Sequence, residues 1–396
     1  MTNQTNRLYF LDAIRAFAIV MMLQGHFVQA LLEDTYRDRT SVIFSAWEYF
    51  RGMTAPTFFT ITGFIFTFLL LKQSSAGLNN PRILKGVKRA IKLVFWGYLL
   101  RLSFFAVFRG TLNSSFFYVD VLQCIGTSLL LLIGLYLILY KYSKRLFQYT
   151  ILGIGMLVFI IQPLYDTAIL EFLPETIANY FTNKYGSIFT LLPWFGYVCF
   201  GGFLATIFLR YGRQQKFYPL IITSLLLLGC ILVFYSSGIL MLLHDAFKIE
   251  VFKSVAYNNF LFIRLGNVCI LFSIFMLLRN YLTGSIFTKI GGKTLSIYII
   301  HFFVLYGSWF GLGLNRFFYR ALTPTEVVLG ATLFVIGVCV LVVKYYKYET
   351  EFLLFVEQFK NYIFQKIKFL MSNNLKPNLI KEKMIEKYQN FRFGKR

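Results

Sequence analysis

Long apolar runs separated by short polar segments dominate the chain from about residue 13 to about residue 343. Most runs have about 17 to 25 residues, the length of α-helix that spans a bilayer. Backbone groups in lipid must be hydrogen-bonded within the protein, so these runs have to be helices. The pattern predicts ten spans: Ala13–Leu32, Gly52–Leu71, Leu93–Phe108, Val119–Tyr140, Leu146–Leu164, Ser187–Leu209, Phe217–Ser236, Asn258–Leu278, Ile286–Tyr306 and Glu326–Val343.

A different pattern follows the tenth span. The apolar stretch Phe352–Leu370 is interrupted by charged residues such as Glu357 and Lys360. Such a segment is typical of an amphipathic helix that lies on a membrane surface and does not cross it. We therefore predict a transmembrane domain over residues 1–348 and a Lys-rich cytoplasmic tail over residues 349–396.

Basic residues are concentrated in alternate loops and in the tail. More than two thirds of the 40 Lys and Arg residues fall on the side that holds both chain ends. Because cytoplasmic loops carry the excess of Lys and Arg, both ends are predicted to be cytoplasmic. The fold class is thus an all-α polytopic membrane bundle of about ten transmembrane helices. The net charge of +23 then indicates contact with anionic lipid and not with nucleic acid.

Composition agrees with this class and narrows the chemistry. Apolar residues make up 57% of the chain and charged residues 14%, whereas soluble domains carry about 25% charged residues. The five cysteines lie within predicted spans at wide spacing, with no CxxC pair. We therefore expect neither disulfides nor a metal site.

Span 1 carries ionisable residues that a simple lipid anchor would not need. Asp12, Arg15 and His26 share one helical face at 100° per residue, and Arg15 and His26 are about 16 Å apart along the axis. Burying Arg or Asp at mid-membrane costs roughly 2.5 kcal/mol or more, so the face is expected to line the bundle interior. We take Asp12, Arg15 and His26 as catalytic candidates. The alternatives are an Asp12–Arg15 ion pair at a helix start and a hydrogen-bonded core histidine.

A second basic group precedes span 3. Lys85, Lys88, Arg89 and Lys92 lie on one helical face, and Arg101 lies within the span. A phosphate-binding rim for a cofactor is the sharper hypothesis, and a positive-inside topology signal is the default. Further candidates for substrate binding are Arg51, Thr54, Asp120, Gln123, Trp194 and His301. Helix packing is the alternative for Arg51, Thr54 and His301, and stabilisation of a helix N-terminus is the alternative for Asp120.

Several motifs together resemble a family of transmembrane acyltransferases. They are LDAIR at 11–15, MMLQGHF at 21–27, TAPTFF at 54–59, DVLQCIG at 120–126, LPWFGY at 192–197 and GGKTLSIY at 291–298 with His301. In this order they resemble the heparan-α-glucosaminide N-acetyltransferase catalytic-domain family and its bacterial acyltransferase-3-like relatives. His26 and Arg15 match the first-helix histidine and arginine of those relatives.

The resemblance implies transfer of an acetyl or other acyl group from cytoplasmic acetyl-CoA or another acyl-CoA to a carbohydrate or glycan acceptor across the membrane. His26 would be the general base, and Glu33, Asp34 or Asp120 could orient its ring. No metal is implied. We expect an integral protein of a bacterial inner membrane, surrounded by lipid, with a homodimer left open.

One rival interpretation belongs to another class. Arg101 and Arg264 within spans could serve the path of a transporter or flippase for a lipid-linked sugar or small anion. Transporters often contain inverted repeats. The sequence shows no convincing second copy of the Asp12–His26 stripe, and this favours the enzyme.

Overall fold

A computed structural model describes residues 8–166 and 172–374. Within these residues the chain forms α-helices and no β-strand, apart from isolated backbone bridges that join Leu32 to Leu322 and Ser103 to Trp309. The helices are α1 (Tyr9–Leu31), α2 (Val42–Arg51), α3 (Thr54–Leu71), α4 (Pro81–Arg101), α5 (Phe104–Phe108), α6 (Val121–Leu139), α7 (Lys144–Ile160), α8 (Gln162–Asp166), α9 (Glu175–Ala178), α10 (Leu191–Tyr211), α11 (Phe217–Phe234), α12 (Ser236–Phe247), α13 (Glu250–Tyr257), α14 (Phe260–Leu277), α15 (Ser285–Gly292), α16 (Thr294–Tyr306), α17 (Leu314–Phe318) and α18 (Pro324–Asn374).

Many of these helices are long and apolar enough to cross a membrane. In the described part of the chain the 7 such segments are Tyr9–Leu31, Val42–Leu71, Ser114–Leu139, Leu191–Tyr211, Phe217–Phe234, Phe260–Leu277 and Pro324–Lys344. The apolar helix α16 is shorter. The predicted class, an all-α polytopic membrane bundle, is confirmed. The count of ten spans and the cytoplasmic location of both ends stay predictions.

The predicted span Leu93–Phe108 is wrong at both ends. Helix α4 begins much earlier, because the Asn80 side chain accepts a hydrogen bond from the Arg82 backbone N–H at 2.9 Å and a proline follows as the first helical residue. It ends at Arg101, because the next residue, Leu102, has an extended ψ of 131°. Hydropathy marked only the apolar half of a helix whose start is set by its cap.

The predicted span Ile286–Tyr306 is interrupted. Helices α15 and α16 are separated at Lys293, whose φ of −114° and ψ of 22° are not helical. The break lets α15 pack on α1 so closely that a Cβ on Gly291 would overlap the Asp12 carbonyl oxygen. Glycine is therefore required at position 291, where α15 meets α1.

Helix α1 lies inside the bundle, in contact with α3, α14, α15 and α16. One end of α1 buries Phe10 and Ile14 in a core shared with Phe64, Phe208 and Phe272. This apolar packing fixes α1 on several sides, so its polar face is presented to α16 and to the cavity described below.

The chain divides into two compact units, Met1–Cys339 and Val340–Arg396. In the first unit lie all the candidate site residues. The predicted domain boundary after residue 348 and the predicted amphipathic segment Phe352–Leu370 both fall within α18. The surface location of that segment stays a prediction, and the tail after residue 374 lies outside the described residues.

Candidate active site

The polar face of α1 begins with an ion pair. Asp12 Oδ1 lies 3.8 Å from Arg15 Nη1, and the two side chains are 12% and 17% exposed. Arg15 Nη2 also donates a hydrogen bond to Thr294 Oγ1 at 3.2 Å, at the first residue of α16. The ion pair that the sequence offered as an alternative is therefore present. Arg15 therefore contacts both Asp12 on its own helix and Thr294 on α16.

Basic residues of α1 and α4 meet at one cavity. The cavity has a volume of about 150 Å³, and its polar lining is Arg15, Thr62, Arg82, Lys85 and Arg89. Its other lining residues come from α3, α4 and α6, and they are Ile61, Ile65, Phe66, Leu69, Gly86 and Leu129. Four cationic side chains around an apolar floor suit an anionic group attached to an organic chain.

Three residues that the sequence grouped with these cations lie elsewhere. Lys88 and Lys92 are exposed and do not line the cavity. Arg101 is at the other end of α4, where its Nη2 donates to Asp120 Oδ2 at 3.0 Å. The sequence missed Arg82, although it stands one turn before Lys85 on the same helix.

His26 lies at the other end of the α1 stripe, next to two residues of α16. The hydroxyl of Tyr306 lies 2.9 Å from His26 Nδ1. The His301 ring centroid lies 5.3 Å from that of His26. Arg15 meets the start of α16 and His26 meets its end, so the two helices run side by side in the same direction.

The environments of the two histidines differ. His301 is fully buried, and neither of its ring nitrogens has hydrogen-bond geometry to a described residue. The backbone groups of Ile297 and Tyr298, about one turn back, are in electrostatic range of its ring. His26 is only partly buried. Of the two rings, that of His26 is the more exposed.

Of the three carboxylates considered for His26, Asp120 is the one in electrostatic range of its ring. Asp120 caps α6: it accepts from the Val121 N–H at 2.8 Å, while its own N–H donates to Gln123 Oε1. The capping box holds the carboxylate beside Arg101, with which it pairs. Gln123 therefore has a structural contact that competes with its predicted role in substrate binding.

Asp34 is engaged away from His26, in the loop after α1. Its Oδ2 accepts from Arg320 Nη1 at 2.9 Å, and its Oδ1 lies 3.3 Å from Arg37 Nε. The hydrogen bond and the charge of Asp34 raise the pKa of the Arg320 guanidinium. Glu33 is joined to Leu322 through its backbone. These contacts hold the loop against residues 319–322 and do not orient the imidazole.

Arg51 approaches the His26 end from α2. Its guanidinium lies 5.4 Å from the Trp47 ring centroid, and its Nη1 hydrogen-bonds the Gln29 side chain. It is also in electrostatic range of His26 and of Tyr306. Arg51, Asp120 and His301 are thus the predicted substrate-binding residues that the fold brings to His26.

The remaining candidates have other surroundings. Thr54 is at the first turn of α3, with a buried hydroxyl that has no partner among the described residues. Trp194 lies in an aromatic cluster, 5.2 Å from the Phe59 ring centroid and 4.8 Å from that of Phe189. The contacts of Trp194 are those of helix packing, which its predicted role in substrate binding did not anticipate.

Tyr306 is a site residue that sequence reasoning missed. It is the last residue of α16, the helix that also carries His301. A tyrosine at the end of an apolar span gave only a weak indication in the sequence. Its pairing with His26 joins residues 280 positions apart. Among the described residues, no group of three or more His, Cys, Asp or Glu side chains is arranged to hold a metal ion.

Comparison with known proteins indicates the family to which the chain belongs. A search of curated proteins gives no significant match. The sequence model of the family described as heparan-alpha-glucosaminide N-acetyltransferase, catalytic, matches residues 7–238. That match includes α1, α4 and α6, and with them His26, the basic cavity and Asp120. Because it covers more than half of the chain, the chain belongs to the heparan-alpha-glucosaminide N-acetyltransferase catalytic-domain family of transmembrane acyltransferases.

Proposed function

We propose that this protein transfers an acetyl or other acyl group from cytoplasmic acyl-CoA to a carbohydrate acceptor on the outer side of the membrane. The observation that carries the proposal is the pairing of two sites along α1 and α16. One end holds the basic cavity at Arg15, and the other end holds the partly buried imidazole of His26. Family membership supports the acetyl-transfer chemistry.

The basic cavity fits the donor. Acyl-CoA is a long co-substrate with phosphates at one end and a thioester at the other. Arg15, Arg82, Lys85 and Arg89 would pair with the phosphates through charge-assisted hydrogen bonds. The α1 stripe rises about 16 Å from Arg15 to His26, so a donor anchored at the cavity would direct its thioester along this face.

His26 would then act as the general base. Its free nitrogen accepts the proton of the acceptor hydroxyl or amine while the acceptor oxygen or nitrogen attacks the thioester carbonyl carbon. A C–O or C–N bond forms and the C–S bond breaks. The imidazolium returns its proton to the departing thiolate, so His26 ends the cycle neutral. Arg51 and Asp120 are proposed to hold the acceptor beside the ring.

The test is acyl transfer by the purified full-length protein in lipid nanodiscs. We expect radiolabel to pass from acetyl-CoA to an amino sugar or glycan, with stoichiometric release of CoA thiol. Proteoliposomes that take up a sugar or a small anion, with no CoA binding and no label transfer, would contradict the proposal and favour a transporter.

Removing cations from the cavity should weaken binding of the acyl donor more than it slows the acyl-transfer step. We expect the double variant Lys85→Ala/Arg89→Ala to raise KM for acetyl-CoA about tenfold or more, because hydrogen bonds to charged groups contribute roughly 1.5–3 kcal/mol each. kcat should change less, since His26 is untouched. Steady-state kinetics with varied acetyl-CoA measures both constants.

The matched control is Lys92→Ala, which removes an exposed cation from the same helix but outside the cavity. Its KM should stay within about twofold of the parent value, since exposed charges contribute little to specific contacts. Equal KM increases in the double variant and the control would argue against a donor site in the cavity.

A further inference from the structure

The contact between Tyr306 and His26 engages one of the two imidazole nitrogens. A neutral imidazole carries one N–H and one lone pair on its two nitrogens. The 2.9 Å contact engages Nδ1. If Nδ1 carries the hydrogen and donates it to the phenolic oxygen, the lone pair is on Nε2. An Nε2 lone pair is what a general base needs.

The surrounding backbone holds the Tyr306 side chain in place. Helix α16 ends immediately after Tyr306, at Gly307, which has a left-handed φ of 66°. A Cβ on Gly307 would overlap the backbone nitrogen of Gly313, so the chain closes tightly on itself. No other residue type fits this turn without moving the backbone.

Trp309 ties the same turn to the end of α4. Its indole Nε1–H donates to the Leu99 carbonyl at 2.8 Å, and its own carbonyl accepts from the Phe104 N–H at 3.0 Å. Trp309 has a φ of 77°, which is unfavourable for a bulky residue. Strained residues persist where the surroundings determine them strongly, often at functional sites. The turn that carries Tyr306 is thus anchored two residues from Arg101.

We propose that Tyr306 is a positioning residue for His26: its phenolic oxygen accepts the Nδ1–H, selects that tautomer and keeps Nε2 directed at the acceptor. The turn from Gly307 to Gly313 is attached by the hydrogen bonds of Trp309 to the end of α4, and it keeps the phenol next to His26. The inference rests on the proposed role of His26 as general base. When Nε2 takes the acceptor proton, the Nδ1–H to Tyr306 bond becomes charge-assisted and stabilises the imidazolium until the thiolate is protonated.

Tyr306→Phe tests the proposal by removing one oxygen atom. We expect kcat for acyl transfer to fall about 10- to 100-fold, the effect of losing one charge-assisted hydrogen bond in the transition state. KM for acetyl-CoA should not change, because the cations of the cavity lie at the other end of α1. In a His26→Ala background, Tyr306→Phe should not lower kcat further, because the effects of substitutions at residues that act as a unit are not additive.

A spectroscopic measurement separates positioning from general stability. In full-length protein with ¹⁵N-labelled histidine, we expect His26 to be mainly in the Nδ1–H form. Tyr306→Phe should shift it towards the Nε2–H form. The matched control is Tyr180→Phe, which removes an oxygen from another tyrosine hydroxyl pair, Tyr98 with Tyr180, also at 2.9 Å. Its kcat and its His26 signal should match the parent protein.

Two results would overturn the proposal. One is an unchanged His26 tautomer in Tyr306→Phe, and the other is an equal loss of kcat in the His26→Ala background. The tautomer measurement needs no turnover. A protein that shows the tautomer shift but transfers no acyl group would therefore refute the proposed function while leaving the His26–Tyr306 interaction intact.

Discussion

His26→Ala should lower kcat for acyl transfer by about 10²–10⁴-fold, the usual contribution of a general base. The variant should still fold and insert, because the neighbouring apolar packing of α1 does not involve the imidazole. KM for acetyl-CoA should stay near the parent value, since the donor cations surround Arg15 and not His26. Kinetics of label transfer at varied concentrations of radiolabelled acetyl-CoA measures kcat and KM, and gel filtration checks that the variant is folded.

His244→Ala is the control for loss of an imidazole. His244 lies on α12, and its Nδ1 contacts the Ile249 carbonyl at 3.2 Å. It is one of only three histidines in the chain, and its removal should leave kcat within about twofold, in the range of substitutions away from a reacting group. Full activity in His26→Ala would remove the catalytic assignment and leave the topology untouched.

Helical periodicity predicted the main line of the site. It placed Asp12, Arg15 and His26 on one face, and a single continuous helix contains all three. This part was predictable because the relation between positions in one unbroken helix depends only on its local geometry. The partners of that face were not predictable, since Thr294 and Tyr306 reach it across about 280 residues of chain.

The errors also have physical causes. Arg101 is grouped with Lys85 and Arg89 by sequence, yet its helix carries it to the opposite end, where Asp120 is available. The break at Lys293 accompanies the close packing of Gly291 on α1, and hydropathy cannot detect it because both flanking segments are apolar. Local pattern gives helices and faces, whereas caps, breaks and pairings depend on contacts between distant segments.

The crossing of α3 and α10 brings two helix backbones into direct contact. A Cβ on Gly201 would overlap the Thr60 carbonyl oxygen, and a Cβ on Gly63 would overlap the Val198 carbonyl oxygen. The two helices therefore touch backbone to backbone at two reciprocal points. Small residues permit such close approach in membrane bundles, where van der Waals packing is a main source of helix association.

Gly201→Ala should therefore lower the free energy of unfolding by about 1–3 kcal/mol or prevent folding, because rigid backbone, and not a flexible side chain, has to move. The matched controls are Gly153→Ala in α7 and Gly134→Ala in α6, where a Cβ would meet nothing within 4 Å. Alanine is favoured over glycine in a helix by about 1 kcal/mol, so these controls should be neutral or stabilising. Thermal unfolding in detergent compares the three.

The same change should reach the donor site through α3. Ile61, Thr62 and Ile65 line the basic cavity from one side of α3, and Gly63 packs on α10 from another. Any folded fraction of Gly201→Ala should therefore show a raised KM for acetyl-CoA, whereas Gly153→Ala should not. If Gly201→Ala is as stable as Gly153→Ala, α3 and α10 do not touch backbone to backbone as described. The position of the cavity wall on α3 would then be wrong too.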